Sequence, residues 1–249
     1  MTRERIIAGN FKLHLGPNET GALVRAIAAT PDVTRATIVV FPTAFSLAAA
    51  VDAAGSAVQV GAQWVAAHAS GAYTGTNSAA LAAALGATWA LVGHSEVRRD
   101  LAESDARCAA SVRAALAAGL RPMLCVGETL AEREAGRLED VLRTQLRGAL
   151  DGLADDAWTR IVVAYEPVWA IGTGVVATPE QAQAAHAFLR TTLASAYGDA
   201  IADRVPVLYG GSVTPDNAAT LLALPDVDGV LVGGASLDAA KFRGIAAAR

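Results

Sequence analysis

Val163-Ala164-Tyr165-Glu166-Pro167-Val168-Trp169-Ala170-Ile171-Gly172-Thr173-Gly174 is the stretch that decides how this chain reads. The apolar run 161–165 reads as a buried strand, and it ends in a single carboxylate, Glu166. Pro167 follows at once; lacking an N–H and fixed in φ, it ends the ladder and stiffens the exit. A loop of Trp, Ile and small residues then leads to a helix start at Thr178-Pro179-Glu180. Exposed loops are normally polar. An apolar loop beside a carboxylate is suited to folding down and excluding water. Composition alone favours a plainer alternative, an ordinary strand-to-helix loop with a solvated glutamate.

The rest of the chain sets the frame. Its 249 residues suit one (β/α)8 barrel, although two small domains would also fit. Hydrophobic residues make up 53%, a figure that Ala inflates, and such a chain can bury a sizeable core. The net charge is −4 and Lys and Arg form no block, which argues against nucleic acid or an anionic membrane as partner. The apolar segment after Met1-Thr2-Arg3-Glu4-Arg5 is too short for a signal peptide. No apolar run approaches the ~18 residues of a membrane span, and the richest, 79–92, is broken at Gly86 and Thr88. Cys108 and Cys125 give neither a disulfide framework nor a metal cluster. A cytoplasmic enzyme is the expectation.

Eight strand-then-helix units follow one another. The expected strands cover 5–11, 36–41, 58–62, 89–92, 123–126, 161–165, 205–209 and 229–232. Helical patterns begin after 17 and span 44–54, 78–85, 103–118, 137–150, 179–197, 217–224 and 237–248, with a long loop over 63–76. The strands are short, β-branched and not alternating, as in a parallel sheet covered on both faces. Unbroken βα alternation without a linker predicts an α/β fold in a single domain, 1–249. Periodicity alone does not separate a closed barrel from an open doubly wound sheet.

In a barrel, chemistry sits at the C-terminal ends of the strands. The polar residues expected there form a short series: Asn10 and Lys12 after strand one, His94 after strand four, Cys125 and Glu128 at strand five, and Glu166 after strand six. Gly210-Gly211-Ser212 and Gly233-Gly234 follow strands seven and eight. Gly-rich turns opening helices let backbone N–H groups approach an anion, and the helix N-terminus favours its charge. One such turn is only a tight turn; two on adjacent strands, with Gly172 opposite, point to phosphate. A lone His near a strand end is more often structural than catalytic. His94 is expected to open a short helix, however, where the partial positive charge disfavours the imidazolium and leaves a neutral N–H donor. The four histidines, His14, His68, His94 and His186, show no metal-ligand spacing, so no metal is expected.

These residues stand in motifs that resemble the triosephosphate isomerase family along nearly the whole chain. They are Gly9-Asn10-Phe11-Lys12 (Phe11 where Trp is usual), Gly61-Ala62-Gln63, Gly71-Ala72-Tyr73-Thr74-Gly75, Gly93-His94-Ser95-Glu96, Cys125-Val126-Gly127-Glu128, the stretch quoted above, Tyr209-Gly210-Gly211-Ser212-Val213 and 228–237. The resemblance implies a single closed (β/α)8 barrel that interconverts dihydroxyacetone phosphate and glyceraldehyde 3-phosphate without a cofactor. It implies Glu166 as base, His94 as neutral electrophile, and Lys12 as the cation that stabilises an enediolate. Asn10 would support the substrate oxygen and Glu96 the site; Gly172, Ser212, Gly233 and Gly234 would hold the phosphate. A glutamate base beside a neutral histidine is an arrangement for which this family is itself the standard example. The chemistry fits independently: moving a carbonyl to the next carbon needs a base for the intervening proton and donors for the enediolate oxygens.

The departures from the family lie outside those residues. His14 stands where Asn is common, Thr76 where Glu is usual, Val97 where Arg usually follows His-Ser-Glu, and Leu101-Ala102 where Phe-Gly is usual. The resemblance implies a homodimer in which the third loop docks near the partner's first and fourth loops, so Thr76 and Val97 read either as a joint loss of a polar contact across the dimer or as neutral drift at an interface held by apolar packing. Val175 stands where the loop's second hinge usually has Lys, and two β-branched residues there would stiffen it. Two other readings remain: a paralogue acting on a four-carbon ketose phosphate, and a non-catalytic phosphate-binding barrel, which should have lost Glu166, His94 or Lys12.

Overall fold

The computed structural model describes residues 3–29, 36–172 and 176–248. Its centre is a closed barrel of eight strands in chain order: β1 (Ile6–Asn10), β2 (Thr37–Phe41), β3 (Gln59–Ala62), β4 (Trp89–Val92), β5 (Arg121–Val126), β6 (Val162–Tyr165), β7 (Val207–Tyr209) and β8 (Gly229–Val232). Every pairing is parallel, and β1 pairs with both β2 and β8, which closes the ring. That closure settles the choice left open by periodicity, in favour of the barrel.

The lack of polar alternation in the strands follows from this architecture, because both faces of each strand are buried. Ile6, Ala8, Val39, Phe41, Trp89, Leu91, Met123, Cys125, Val162, Ala164, Leu208 and Leu231 pack together inside the barrel. The intervening residues, Ile7, Val40, Val163, Tyr165 and Val230 among them, face the helices in a second, larger core. Successive side chains alternate between these two cores, so parity along a strand decides what reaches the mouth. The interior has little spare room: a Cβ at Gly61 would collide with the Phe41 ring.

The helices are α1 (Pro17–Ala28), α2 (Leu47–Ala54), α3 (Ala79–Ala84), α4 (Ser95–Asp100), α5 (Asp105–Ala117), α6 (Leu130–Glu134), α7 (Leu138–Leu150), α8 (Pro179–Tyr197), α9 (Asp199–Ala202), α10 (Pro215–Leu222) and α11 (Ala239–Ala246). Capping chemistry sets their starts. The longest, α8, opens with Thr178 and Gln181 bonded reciprocally, at 3.0 and 3.2 Å, and with Pro179 in its first position. It stops before Gly198, at φ 98°, which admits the left-handed turn.

Several boundaries differ from the sequence reading for the same reason. Ser104 caps α5, which therefore starts at Asp105 and not at 103; Asp238 accepts from the Ala240 and Lys241 amides, so α11 starts at Ala239. Asn217 is not the start of α10 but its third residue, accepting from the Thr214 amide at 2.8 Å. The stretch before α2 is a 3-10 turn, Ala44–Ser46. Two short helices escaped periodicity altogether. α6 buries no residue, and α9 has only four, so neither carries an apolar stripe. Among the described residues no helix is long and apolar enough to cross a membrane. The reading of Val175 as a stiff hinge, like Thr173 and Gly174 in the quoted stretch, lies outside the described residues.

Candidate active site

Parity carries Glu166 into the mouth of the barrel. Val162 and Ala164 point inward, and Glu166 is next in that series. The ladder continues just far enough to hold it: the Glu166 amide donates to Val126 at 2.8 Å, and the Gly210 amide donates to Tyr165 at 2.7 Å. Pro167 then ends the strand. Close packing leaves no slack beneath, since any Cβ at Gly127 would fall on the Glu166 carbonyl oxygen. The carboxylate is only 2% exposed. Its Oε1 lies 2.9 Å from His94 Nε2, and its Oε2 accepts from the Ser95 amide at 2.8 Å.

His94 is the N-cap of α4. The Glu96 amide donates to its Nδ1 at 3.2 Å, so that nitrogen is an acceptor and the proton of the neutral ring sits on Nε2, facing Glu166. Burial alone would push the imidazole pKa down, but the Glu166 charge and hydrogen bond lift it above its ordinary value. For Glu166, burial alone would push the pKa up; the His94 charge and hydrogen bond, the Ser95 amide and Lys12 outweigh it and hold the carboxyl below its ordinary value. The pair therefore rests as a carboxylate facing a hydrogen-bond donor.

Lys12 sits in the left-handed region at φ 50°, a conformation that costs a residue with a Cβ about 1–2 kcal/mol. Three contacts sustain it. Its amide donates to Asn10 Oδ1 at 2.9 Å, its carbonyl accepts from Gln63 Nε2 at 2.7 Å, and Nζ lies 2.6 Å from Glu96 Oε1. Gln63 also donates to the Phe41 carbonyl at 2.9 Å, tying the first loop to the end of β2.

A cleft of about 610 Å³ opens at this rim, and its lining includes Asn10, Lys12, His94, Glu166, Gly172, Ser212, Gly233 and Gly234. Every residue that the resemblance assigns to the site therefore meets in one cleft except Glu96, which contacts Lys12 and His94; Cys125 and Glu128, expected on the same rim, do not line it. Gly210 and Gly211 join the lining; a Cβ at Gly211 would strike the Tyr209 hydroxyl. Lys12 also borders the glycine turns, its Cε 3.4 Å from where a Cβ on Gly233 would stand.

The apolar loop is anchored where it leaves β6. Glu128 is fully buried and accepts from Tyr165 Oη at 3.1 Å, Trp169 Nε1 at 2.7 Å and Arg133 at 3.0 Å. The Arg133 guanidinium also lies 4.6 Å above the Trp169 ring. Cys125, inside the barrel, has its thiol pushed up by burial, which leaves it a poor nucleophile. Sequence reasoning missed Gln63 and Ser95 as site-forming residues, although both stand in motifs that it singled out. No group of three or more His, Cys, Asp or Glu that could hold a metal occurs among the described residues.

Comparison with known proteins shows the family. The sequence model of the family described as triosephosphate isomerase matches residues 5–249. A triosephosphate isomerase of Bordetella pertussis is 51% identical over 249 residues, covering 99% of this chain and 98% of the relative. One from Herpetosiphon aurantiacus is 48% identical over 244 residues, covering 96% and 97%. Another, from Cupriavidus pinatubonensis, is 48% identical over 244 residues, covering 98% of each. With this fold, this rim and matches of this extent, the chain belongs to the triosephosphate isomerase family.

Proposed function

We propose that the cleft interconverts dihydroxyacetone phosphate and D-glyceraldehyde 3-phosphate, with Glu166 as base. The observation that carries this reading is the pairing of a buried carboxylate with a histidine N–H in a cleft that also holds a lysine and two glycine turns. The Glu166 carboxylate takes a proton from the carbon beside the substrate carbonyl. The electron pair left behind moves onto oxygen, giving an enediolate, and the proton returns to the neighbouring carbon. His94 Nε2–H and Lys12 Nζ face the oxygens where negative charge develops, and Asn10 lines the same wall. No redox partner is needed, since the carbon oxidised and the carbon reduced are neighbours in one molecule.

The electrostatics support a neutral His94 during that step. What lifts its pKa at rest is first the Glu166 charge and hydrogen bond, then the Glu96 charge, which Lys12 opposes. Once Glu166 has taken the substrate proton its charge is gone, and burial with the Glu96 amide at Nδ1 favours the uncharged ring. The phosphate would sit against Ser212, Gly233 and Gly234, with Gly172 closing from the loop. Isomerisation of glyceraldehyde 3-phosphate by the purified protein tests the reading. The expected result is turnover with kcat/KM well above that for a four-carbon ketose phosphate; the reverse preference would assign the chain to the paralogous activity.

We further propose a cytoplasmic homodimer. Leu13 and Phe45 are each 92% exposed, and Leu81 and Leu85 border a groove of about 250 Å³ together with Trp64 and Thr76, an apolar surface suited to a second copy. Thr76 spends its hydroxyl on the Tyr73 carbonyl within its own loop, at 2.7 Å, and Val97 offers no charge. Sedimentation over a dilution series is expected to show a dimer that dissociates at roughly nanomolar concentration. A dimer intact at that dilution would remove the link between these substitutions and a weaker interface.

A further inference from the structure

His94 is held from behind by a chain of contacts that starts outside the site. The residue before it, Gly93, lies in the left-handed region at φ 72°, and a Cβ there would meet Arg98, Cys108 and the Cys125 carbonyl at 2.9–3.1 Å. Its peptide groups are gripped on both sides. The Gly93 carbonyl accepts from Arg98 Nε at 2.8 Å, and the Gly93 amide donates to Glu103 Oε2 at 3.1 Å. Glu103 is buried, and its other oxygen, Oε1, accepts from the Trp64 indole Nε1 at 2.8 Å.

We infer that Trp64 is a positioning residue for the isomerisation: its indole N–H orients the Glu103 carboxylate, which fixes the Gly93 peptide and thereby the direction of His94 Nε2. The inference rests on the proposed reaction. Three features favour it over a packing role alone. The contact is a directed N–H to a carboxylate, and a carboxylate with one oxygen committed to a backbone amide has its remaining freedom removed by a donor on the other. The recipient is the amide of Gly93, the residue before His94, whose carbonyl Arg98 holds on the other side. Trp64 also follows Gln63, whose amide holds the Lys12 carbonyl. Two adjacent residues at the exit of β3 thus brace the cation directly and the electrophile through Glu103, and a shift in that dipeptide would be felt by both.

The test is a double-mutant cycle on the full-length protein with Trp64→Phe and Glu103→Gln. The expected result is that Trp64→Phe lowers kcat roughly tenfold with KM changed less than about twofold, as a misdirected catalytic group should. In the Glu103→Gln background the same substitution is expected to cost less than about twofold, because the relay is already broken. The Gly93 amide resonance should shift in Trp64→Phe. Replacing the Trp64 indole by benzothiophene removes only the N–H and serves if Trp64→Phe does not fold. A kcat within about twofold of wild type, or an equal loss in both backgrounds, overturns the inference. Failure of the wild-type protein to isomerise triose phosphates would instead overturn the proposed function. The Gly93 resonance then still decides the relay: an unmoved shift overturns it.

Discussion

Glu166→Gln is expected to lower kcat on the order of ten-thousandfold, with KM changed by no more than a few fold. Gln matches Glu in shape but has one acceptor oxygen for two donors, so it keeps either the Ser95 contact at 2.8 Å or the His94 contact at 2.9 Å and turns its NH2 to the other. The larger loss is basicity. Glu166→Asp keeps a base but withdraws it by about 1.5 Å, one carbon–carbon bond, and is expected to cost roughly a hundredfold. The pH profile is an independent check. Because the surroundings hold the Glu166 carboxyl below its ordinary 4.5, the base is ionised above that pH and is lost only when pH falls through the lowered value. The acid limb of kcat/KM, corrected for the substrate phosphate's own ionisation at about 6, should therefore lie below pH 4.5. Near-wild-type turnover of Glu166→Gln would remove Glu166 as the base.

How far the sequence carried the reading depended on what kind of signal each feature left. The strands were legible because burial on both faces leaves short β-branched runs, and β4 and β8 match their expected limits. β1, β2, β3, β6 and β7 begin one or two residues later than expected, β1 also ends one residue sooner, at Asn10, and β5 begins two residues earlier, at Arg121, where no apolar run marks its start. The rim residues were legible because a polar or glycine residue at the end of an apolar run is conspicuous. Residues that act on the rim from a distance left no such trace. Gln63 looks like any loop glutamine, and its two backbone carbonyl partners come from β2 and the first loop. Glu103 looks like a helix-start acid; its burial and its bonds to Trp64 and Gly93 exist only once β3, β4 and the start of α5 are assembled. Closure of the barrel belongs to the same class, since the pairing of β8 with β1 joins segments from the two ends of the chain.

Lys12→Met is expected to lower kcat/KM about a thousandfold, and unlike Glu166→Gln it should act on both kcat and KM. The position of Lys12 is the reason. Its stem runs beside Gly233 in the proposed phosphate turn, while its Nζ reaches Glu96 behind His94. On the proposed reading one charge serves the bound phosphate, present in ground and transition states alike, and the enediolate oxygen, charged only on the way. Loss of the first raises KM; loss of the second lowers kcat. Met preserves the apolar stem and the packing, so the left-handed backbone at residue 12, held by Asn10 and Gln63, is not the variable under test. Lys12→Arg separates charge from shape: a planar fork in place of a point donor should recover part of the binding loss and little of kcat, because the enediolate oxygen requires one donor at one place. If Lys12→Met raised KM alone, the cation would serve the phosphate only, and stabilisation of the developing charge would fall to His94 by itself.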